Sequence, residues 1–439
     1  MEFDILNSEN LELEIIGFTT HDIRFPTSKN LDGSDATNHD PDYSAAYLTL
    51  HTSNSRLTGN SLVFTIGRGN DIQREAIERL AKKVIGLTLK EAFFENGEIY
   101  KNLGSDSQLR WLGPDYGIFH MARGAVVNAI WDLLSKSEQK PLWKYLSELS
   151  PNTLASLIDY RYIEEVLNPE EALQILVEGS KHRAKNEMAV LKFGLPAYTT
   201  SPGWLGYEDE KMVRLTRKAI ADGFSMIKYK CGRSLEEDKR RLALIRKEFG
   251  SSLTISVDAN QSWDVDTAIH WINELREFDL YWVEEPTHPE DIVGHARIAA
   301  NVSPIRIATG EMAASKLTFK QLLQLQGQAV VQIDATRVSG VNEILAIILM
   351  AKKFGKPVCP HAGGVGLCEM VQHFAFFDAV AVSGIHTSRY IEFVDHLHQH
   401  FVNPVEIIDG NYRAPKNPGF SAMMLANSIT QYSYEERME

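Results

Sequence analysis

Residues 226–230 read MIKYK. As a strand, this stretch sends Lys228 and Lys230 to one face and Ile227 and Tyr229 to the other. Moving outward, a polar residue closes a short apolar run again at Asp258, Glu284, Glu311, Asp334, His361 and Glu392. The successive gaps from Lys230 are 28, 26, 27, 23, 27 and 31 residues. One strand, one helix and two short loops consume about 25–30 residues, so an ionisable residue recurs once per βα unit. Candidate strands are 156–160, 226–230, 254–258, 281–284, 306–309, 330–333, 357–359 and 379–383, with amphipathic stretches such as 235–249 and 265–277 between them. This α/β series predicts a closed parallel barrel, because no glycine-rich dinucleotide fingerprint follows the first strand. In such a barrel the C-terminal strand tips converge on one face, where the chemistry sits.

Upstream the rhythm differs. Residues 11–26 alternate apolar and polar, 45–51 are rich in β formers, and 61–66 give a third strand. The intervening stretch 27–42 is rich in Asp, Asn, Ser and Pro and reads as a loop. Helices are expected over 72–85, 89–103 and 120–134, making a compact α+β unit that ends near residue 149. After about residue 403 the βα rhythm stops, and 414–420 is rich in Pro and Gly.

A chain of 439 residues accommodates one barrel of about 250 residues and a second domain. Its net charge of −13 argues against nucleic acid or an anionic membrane as partner. The three cysteines, Cys231, Cys359 and Cys368, have no paired spacing and indicate a reduced compartment. The first 17 residues are acidic, without the basic flank or apolar core of a targeting segment. The longest apolar run, 344–351, is too short to span a bilayer. The expectation is a soluble cytoplasmic protein acting on a small molecule, with assembly into a homo-oligomer left open.

The residue types at the strand tips define the chemistry. A lone carboxylate at a strand end is ordinarily solvated. Asp258, Glu284 and Glu311 in three consecutive units would repel one another unless a cation sat among them. All-carboxylate ligation favours Mg²⁺, and the absence of histidine from the trio disfavours zinc. Lys228 beside Lys230, with burial, is expected to depress the Lys230 pKa, so that a neutral amine can act as a base. Lys228 would pair with a substrate carboxylate. Asp334 beside His361 gives the usual support for an acid–base imidazole. Glu392 would face an enolate or pair with Arg389. His396, His398 and His400 read as surface decoration. A lysine and a His–Asp pair around a metal suit removal of a proton α to a carboxylate, followed by dehydration or by epimerisation. A scaffold that only kept the fold has no need of a paired base and acid.

At these residues the chain resembles the enolase superfamily, mandelate-racemase subgroup, whose Lys and His bases with Mg²⁺ serve as a general example of tuned acid–base sites. The segments that carry the resemblance include GSDATNHDPDYSAAY, VDANQSWD, WVEEPTHPEDIVGHA and PHAGGVGLCE. Within the subgroup the chain looks most like the L-fuconate dehydratase branch. The resemblance implies a (β/α)7β barrel, a modified TIM barrel, over residues 151–403. An α+β capping domain would be built from residues 1–150 and completed by 404–439. It implies Mg²⁺ on Asp258, Glu284 and Glu311, Lys230 as base, and His361 with Asp334 as the acid that expels a 3-hydroxyl. Substrate contacts are implied for Gly33, Ser34, Asp35 and Tyr43 in a specificity loop over 27–43, and for Lys228, Asn260, Glu311 and Glu392. The implied enzyme is a hydro-lyase that converts a sugar acid, L-fuconate first, into a 2-keto-3-deoxy acid; another aldonate such as galactonate or arabinonate is the alternative. The chain departs from the fuconate pattern at Ser262, where that pattern has Arg, and at Ser315-Lys316, where it has Asn-Arg. Residues 384–389, GIHTSR, lack its acidic pair. These departures remove planar donors expected near the sugar.

Overall fold

The computed structural model describes residues 9–94, 96–113, 115–384 and 389–434. The start of the acidic N-terminal stretch and residues 385–388 of GIHTSR lie outside the described residues. In the cap, β1 (Ile15–Arg24), β2 (Ser44–Thr52) and β3 (Thr58–Thr65) form an antiparallel meander in that order. Helices Asn70–Ala81 and Gly117–Ser137 pack on the sheet. From the second helix Val126, Ile130, Leu133 and Leu134 are fully buried, each side chain contributing roughly 1.5–3 kcal/mol of transfer free energy. Of the stretch expected as a helix over 89–103, Leu89–Phe94 and Asn96–Gly104 are helical, and residue 95 lies outside the described residues.

The barrel begins with β4 (Leu195–Thr199), β5 (Met226–Lys230), β6 (Thr254–Asp258), β7 (Leu280–Glu284), β8 (Arg306–Thr309) and β9 (Val330–Val331). Each is parallel to its predecessor. The seventh position is a single bridging residue, Val358, paired with Val331. The eighth is β10 (Ile391–Phe393), which pairs with β4, while the Glu392 amide donates to the Pro360 carbonyl at 3.1 Å. The sheet therefore closes on itself. The crossover helices start just beyond the strand tips, where Ser234, Asp264, Asp291 and Ser315 cap them by accepting from backbone amides. Inside the barrel, Tyr198, Met226, Trp282, Ala308, Val330 and Cys359 form a separate apolar plug. The Tyr198 and Trp282 rings meet edge-on at 5.3 Å. The charged layer of the strand tips rests on this plug.

Two expected strands are not strands. Residues 156–160 follow helix Pro151–Ser156 instead of forming the first barrel strand. Ser150 accepts from the Thr153 amide at 3.1 Å and Pro151 occupies the first turn, so the local signal is a helix start. The first barrel strand is β4, which the proline at Pro196 disguised. Residues 379–383 continue helix Leu367–Phe377 as a π-helical turn, Asp378–Val382, buried against helices Pro169–Ser180 and Arg183–Phe193. A short, wholly buried apolar run has no periodicity that separates strand from helix. Among the described residues no helix is long and apolar enough to cross a membrane.

Cap and barrel meet at a buried carboxylate. Glu343, in helix Val341–Lys353, accepts from the His120 Nε2 position at 2.7 Å and from the Ser339 and Lys316 amides at 2.6 and 2.7 Å. Burial pushes its pKa up, but His120 and the two amides outweigh burial and hold it at about 2. Glu343→Ala is expected to cost about 3–5 kcal/mol by leaving its partners buried and unpaired, read as a lowered Tm. Because the folded pKa lies below the ordinary value of 4.5, the contribution is complete above that pH. It is lost as pH falls toward about 2. An acid-unfolding curve that is unchanged in the alanine variant would contradict this.

Candidate active site

The carboxylates of Asp258, at the tip of β6, Glu284, at the tip of β7, and Glu311, just past β8, come together as the backbone register requires. One oxygen from each lies within 4.8 Å of the others, and all three residues are buried. The Glu284 Oε2 accepts from Gln332 at 2.7 Å and from the Trp282 indole at 3.2 Å. The Glu311 Oε2 is buried and accepts no hydrogen bond among the described residues, its charged neighbour being the His361 Nε2 at 3.5 Å. Burial, reinforced by Asp258, Glu311 and Glu392 and opposed by Lys228, raises the Glu284 pKa well above its ordinary value. Three buried carboxylates at this separation, one with an orphaned oxygen, fit a hard divalent cation.

Both β5 lysines face this trio, as their two-residue spacing demands. Lys230 donates to Asp258 at 2.5 Å. Lys228 is fully buried, donates to Glu284, and lies 3.0 Å from Glu392 and 3.5 Å from Asp258. The expected depression of the Lys230 pKa does not hold for this arrangement. Burial, the largest influence, and Lys228 do lower it, but Asp258, Glu311 and Asp35 outweigh them and the pKa is raised. The two-residue spacing reveals the neighbouring cation, but the closeness of the carboxylates that outweigh it is set by the fold.

His361 follows the seventh strand position. Its Nδ1 lies 3.0 Å from the Asp334 Oδ2, and the other Asp334 oxygen accepts from the Thr336 and Arg337 amides at 2.7 and 3.0 Å. This leaves Nε2 turned toward Glu311, at 3.5 Å. Burial disfavours the imidazolium, but Glu311, Asp334 and Glu392 together raise the His361 pKa to about 9. Glu392 accepts from Thr200 and, at 2.8 Å, from the Ala362 amide. Its partner is not Arg389, which instead pairs with Asp378.

Above these groups lies a cavity of about 370 Å³, bordered by Gly33, Asp35, Tyr43, Lys230, Asn260, Glu311, His361 and Glu392 among others. The loop over 27–43 is docked onto the barrel, with Thr37 donating to the Asn260 carbonyl at 2.8 Å and Arg233 to the Asp35 carbonyl at 2.7 Å. Gly33 has φ +83, and a Cβ there would meet the Tyr43 ring at 2.5 Å, so this turn needs glycine. Ser34 does not border the cavity. Its hydroxyl donates to the Leu31 carbonyl at 2.7 Å and accepts from the Gly206 amide at 2.9 Å, which ties the loop down. Lys228 and Asp334 also lie behind the cavity wall rather than in it. The sequence reading missed Trp204, Gln261, Met312 and Arg337, which border the cavity. Gln261 and Met312 each sit within three residues of a tip carboxylate, and Trp204 opens the segment WLGYEDEK, which also resembles the superfamily.

The positions that depart from the fuconate pattern are elsewhere. Ser262, Ser315 and Lys316 do not border the cavity. Ser315 caps helix Lys316–Gln324, and Lys316 reaches away to the Asp159 carboxylate at 3.5 Å. The three clustered histidines are packed rather than decorative. His398 lies 2.7 Å from Glu369 and stacks on Phe393, His400 lies 3.0 Å from Ser428, and the His396 ring is 5.4 Å from that of Tyr43.

Comparison with known proteins agrees with this geometry. The family model described as "Enolase C-terminal domain-like" matches residues 211–427. Mitochondrial enolase superfamily member 1 of Xenopus laevis is 47% identical over 94% of this chain and 94% of its own. L-galactonate dehydratase of Hypocrea jecorina is 46% identical over 96% of this chain and 94% of its own. The crystal structure of human mitochondrial enolase superfamily member 1 superposes with a TM-score of 0.95 at 45% identity, covering 96% of this chain and 97% of that one. None of these three relatives is named for L-fuconate, so the narrower branch resemblance is not carried by them. The strand-tip carboxylates, the lysine pair and the His–Asp pair occur in a chain that is similar to these relatives along nearly its whole length, and the chain belongs to the enolase superfamily.

Proposed function

We propose that the protein is a Mg²⁺-dependent hydro-lyase that dehydrates an aldonic acid of L-galacto configuration. The observation that carries this reading is that Lys230 and His361 border one cavity, with the Asp258–Glu284–Glu311 trio between them around the barrel. Asp258, Glu284 and Glu311 would hold the Mg²⁺, which would supply Lewis-acid stabilisation to a substrate carboxylate and a charge offsetting the acids around Lys230. The Lys230 amine takes the α-proton. The His361 Nε2 gives its proton to the 3-hydroxyl, which departs as water. Asp334 holds the His361 Nδ1–H and so keeps Nε2 toward the cavity. The enol released then tautomerises to a 2-keto-3-deoxy acid. Lys228 acts from behind the wall, lowering the affinity of Lys230 for its proton. Gly33, Asp35, Tyr43, Asn260 and Glu392 border the space that the sugar chain occupies.

L-fuconate and L-galactonate share their configuration and differ only in the oxygen at C6. The first is the sequence expectation and the second names a relative that spans nearly the whole chain. Incubation with Mg²⁺ and a panel containing both, with L-arabinonate and their epimers, is expected to give a 2-keto-3-deoxy product from the L-galacto pair. Absence of turnover on every aldonate would sink the proposal. Exchange of the α-proton in deuterated water without elimination would replace it with an epimerase.

A further inference from the structure

Asn260 and Gln261, in the turn after β6, have φ of 45° and 63°, and Glu285, one residue past β7, has φ of 42°. Asn visits this left-handed region readily, whereas Gln and Glu enter it at a cost in stability. The strained residues hold each other. The Gln261 side-chain Nε2 donates to the Glu285 Oε2 at 2.8 Å, and the Gln261 backbone amide donates to the Glu285 carbonyl, also at 2.8 Å. Glu285 is fully buried and does not border the cavity, whereas Gln261 does.

This contact fixes which end of the Gln261 amide faces the substrate. The nitrogen end donates to Glu285, and the carbonyl oxygen is left over. That oxygen has no hydrogen bond among the described residues. The neighbouring Asn260 Oδ1 is likewise without a partner, and Asn260 borders the same cavity. The Asn260 oxygen is itself buried, so the Gln261 carbonyl is the one left for this wall, suited to accept from a hydroxyl group and unsuited to a second anion. We infer that Gln261 is a specificity-determining residue whose carbonyl accepts from a chain hydroxyl of the sugar acid. Glu285 is the positioning residue that holds the amide in that orientation. The inference rests on the aldonate dehydratase reading above and adds to it the group that reads the polyol chain.

The test compares kcat/KM for L-galactonate and its 4-deoxy, 5-deoxy and 6-deoxy analogues, the last being L-fuconate, in the wild type and in Gln261→Met, Glu285→Gln and Glu285→Met. Thermal denaturation of each variant serves as the check on folding. In the wild type, one analogue is expected to lose on the order of tenfold or more, as loss of one satisfied hydrogen bond dictates. Gln261→Met lowers the parent to the level of that analogue and no longer distinguishes the two. Glu285→Gln, whose carbonyl can still accept from the Gln261 nitrogen, retains the discrimination, and Glu285→Met loses it. If the wild type processes all analogues equally, or Gln261→Met keeps the wild-type ratio, the inference is overturned while the dehydratase reading stands. If the wild type turns over no aldonate at all, both fall together. Should Glu285→Met not fold, the Gln261→Met ratio decides alone.

Discussion

Lys230→Met is expected to lower dehydration by about 10³–10⁴-fold, the upper part of what a positioned base contributes. Methionine fills much of the same space, so the loss reads the amine rather than a cavity. The ammonium now sits 2.5 Å from Asp258, and its removal takes a positive charge from beside a metal ligand. Mg²⁺ affinity by calorimetry is therefore expected to stay the same or rise. Exchange of the α-proton with solvent deuterium should vanish together with elimination, because both begin with the same proton transfer. Substantial turnover in the variant would remove Lys230 from this role.

His361→Asn separates the two halves of the reaction. Elimination is expected to fall by about 10³-fold, since the proton that the 3-hydroxyl needs is gone. Lys230 is untouched, so exchange of the α-proton should persist and become visible by proton NMR in deuterated water. Asparagine can still donate to Asp334, which keeps that buried carboxylate paired. Loss of exchange and elimination in parallel would place His361 on the side of proton abstraction and contradict the assignment.

The strand tips were legible because each carries a residue type that rarely ends an apolar run by chance, and because βα units have a nearly fixed length. β4 ends in Thr199 and contains Pro196, so neither signal applied to it. The seventh strand position is one bridging residue, and the barrel closes there through a backbone bond that no side chain announces. Side-chain direction in loops was not legible. Ser34 and Asp35 are neighbours in one turn, yet Ser34 is spent on Gly206 while Asp35 borders the cavity. Long-range pairing was equally hidden: Lys316 meets Asp159 across 157 residues. The Lys230 balance also failed in sequence, because the sign of a buried pKa depends on distances to several charges at once.

The far end of the chain returns to its beginning. The Phe420 amide donates to Asp132 in helix Gly117–Ser137 at 2.6 Å, and the Tyr434 amide donates to the Asp22 carbonyl in β1 at 2.8 Å. The consequence is one of timing. During synthesis the cap sheet emerges before the barrel, but the partners that finish it emerge after the whole barrel. Closing a loop of that length precedes any reward from the contacts it brings, so the cap is completed late. Until then the buried Asp132 lacks the amide that Phe420 brings, and the newly made cap waits on the barrel to be finished.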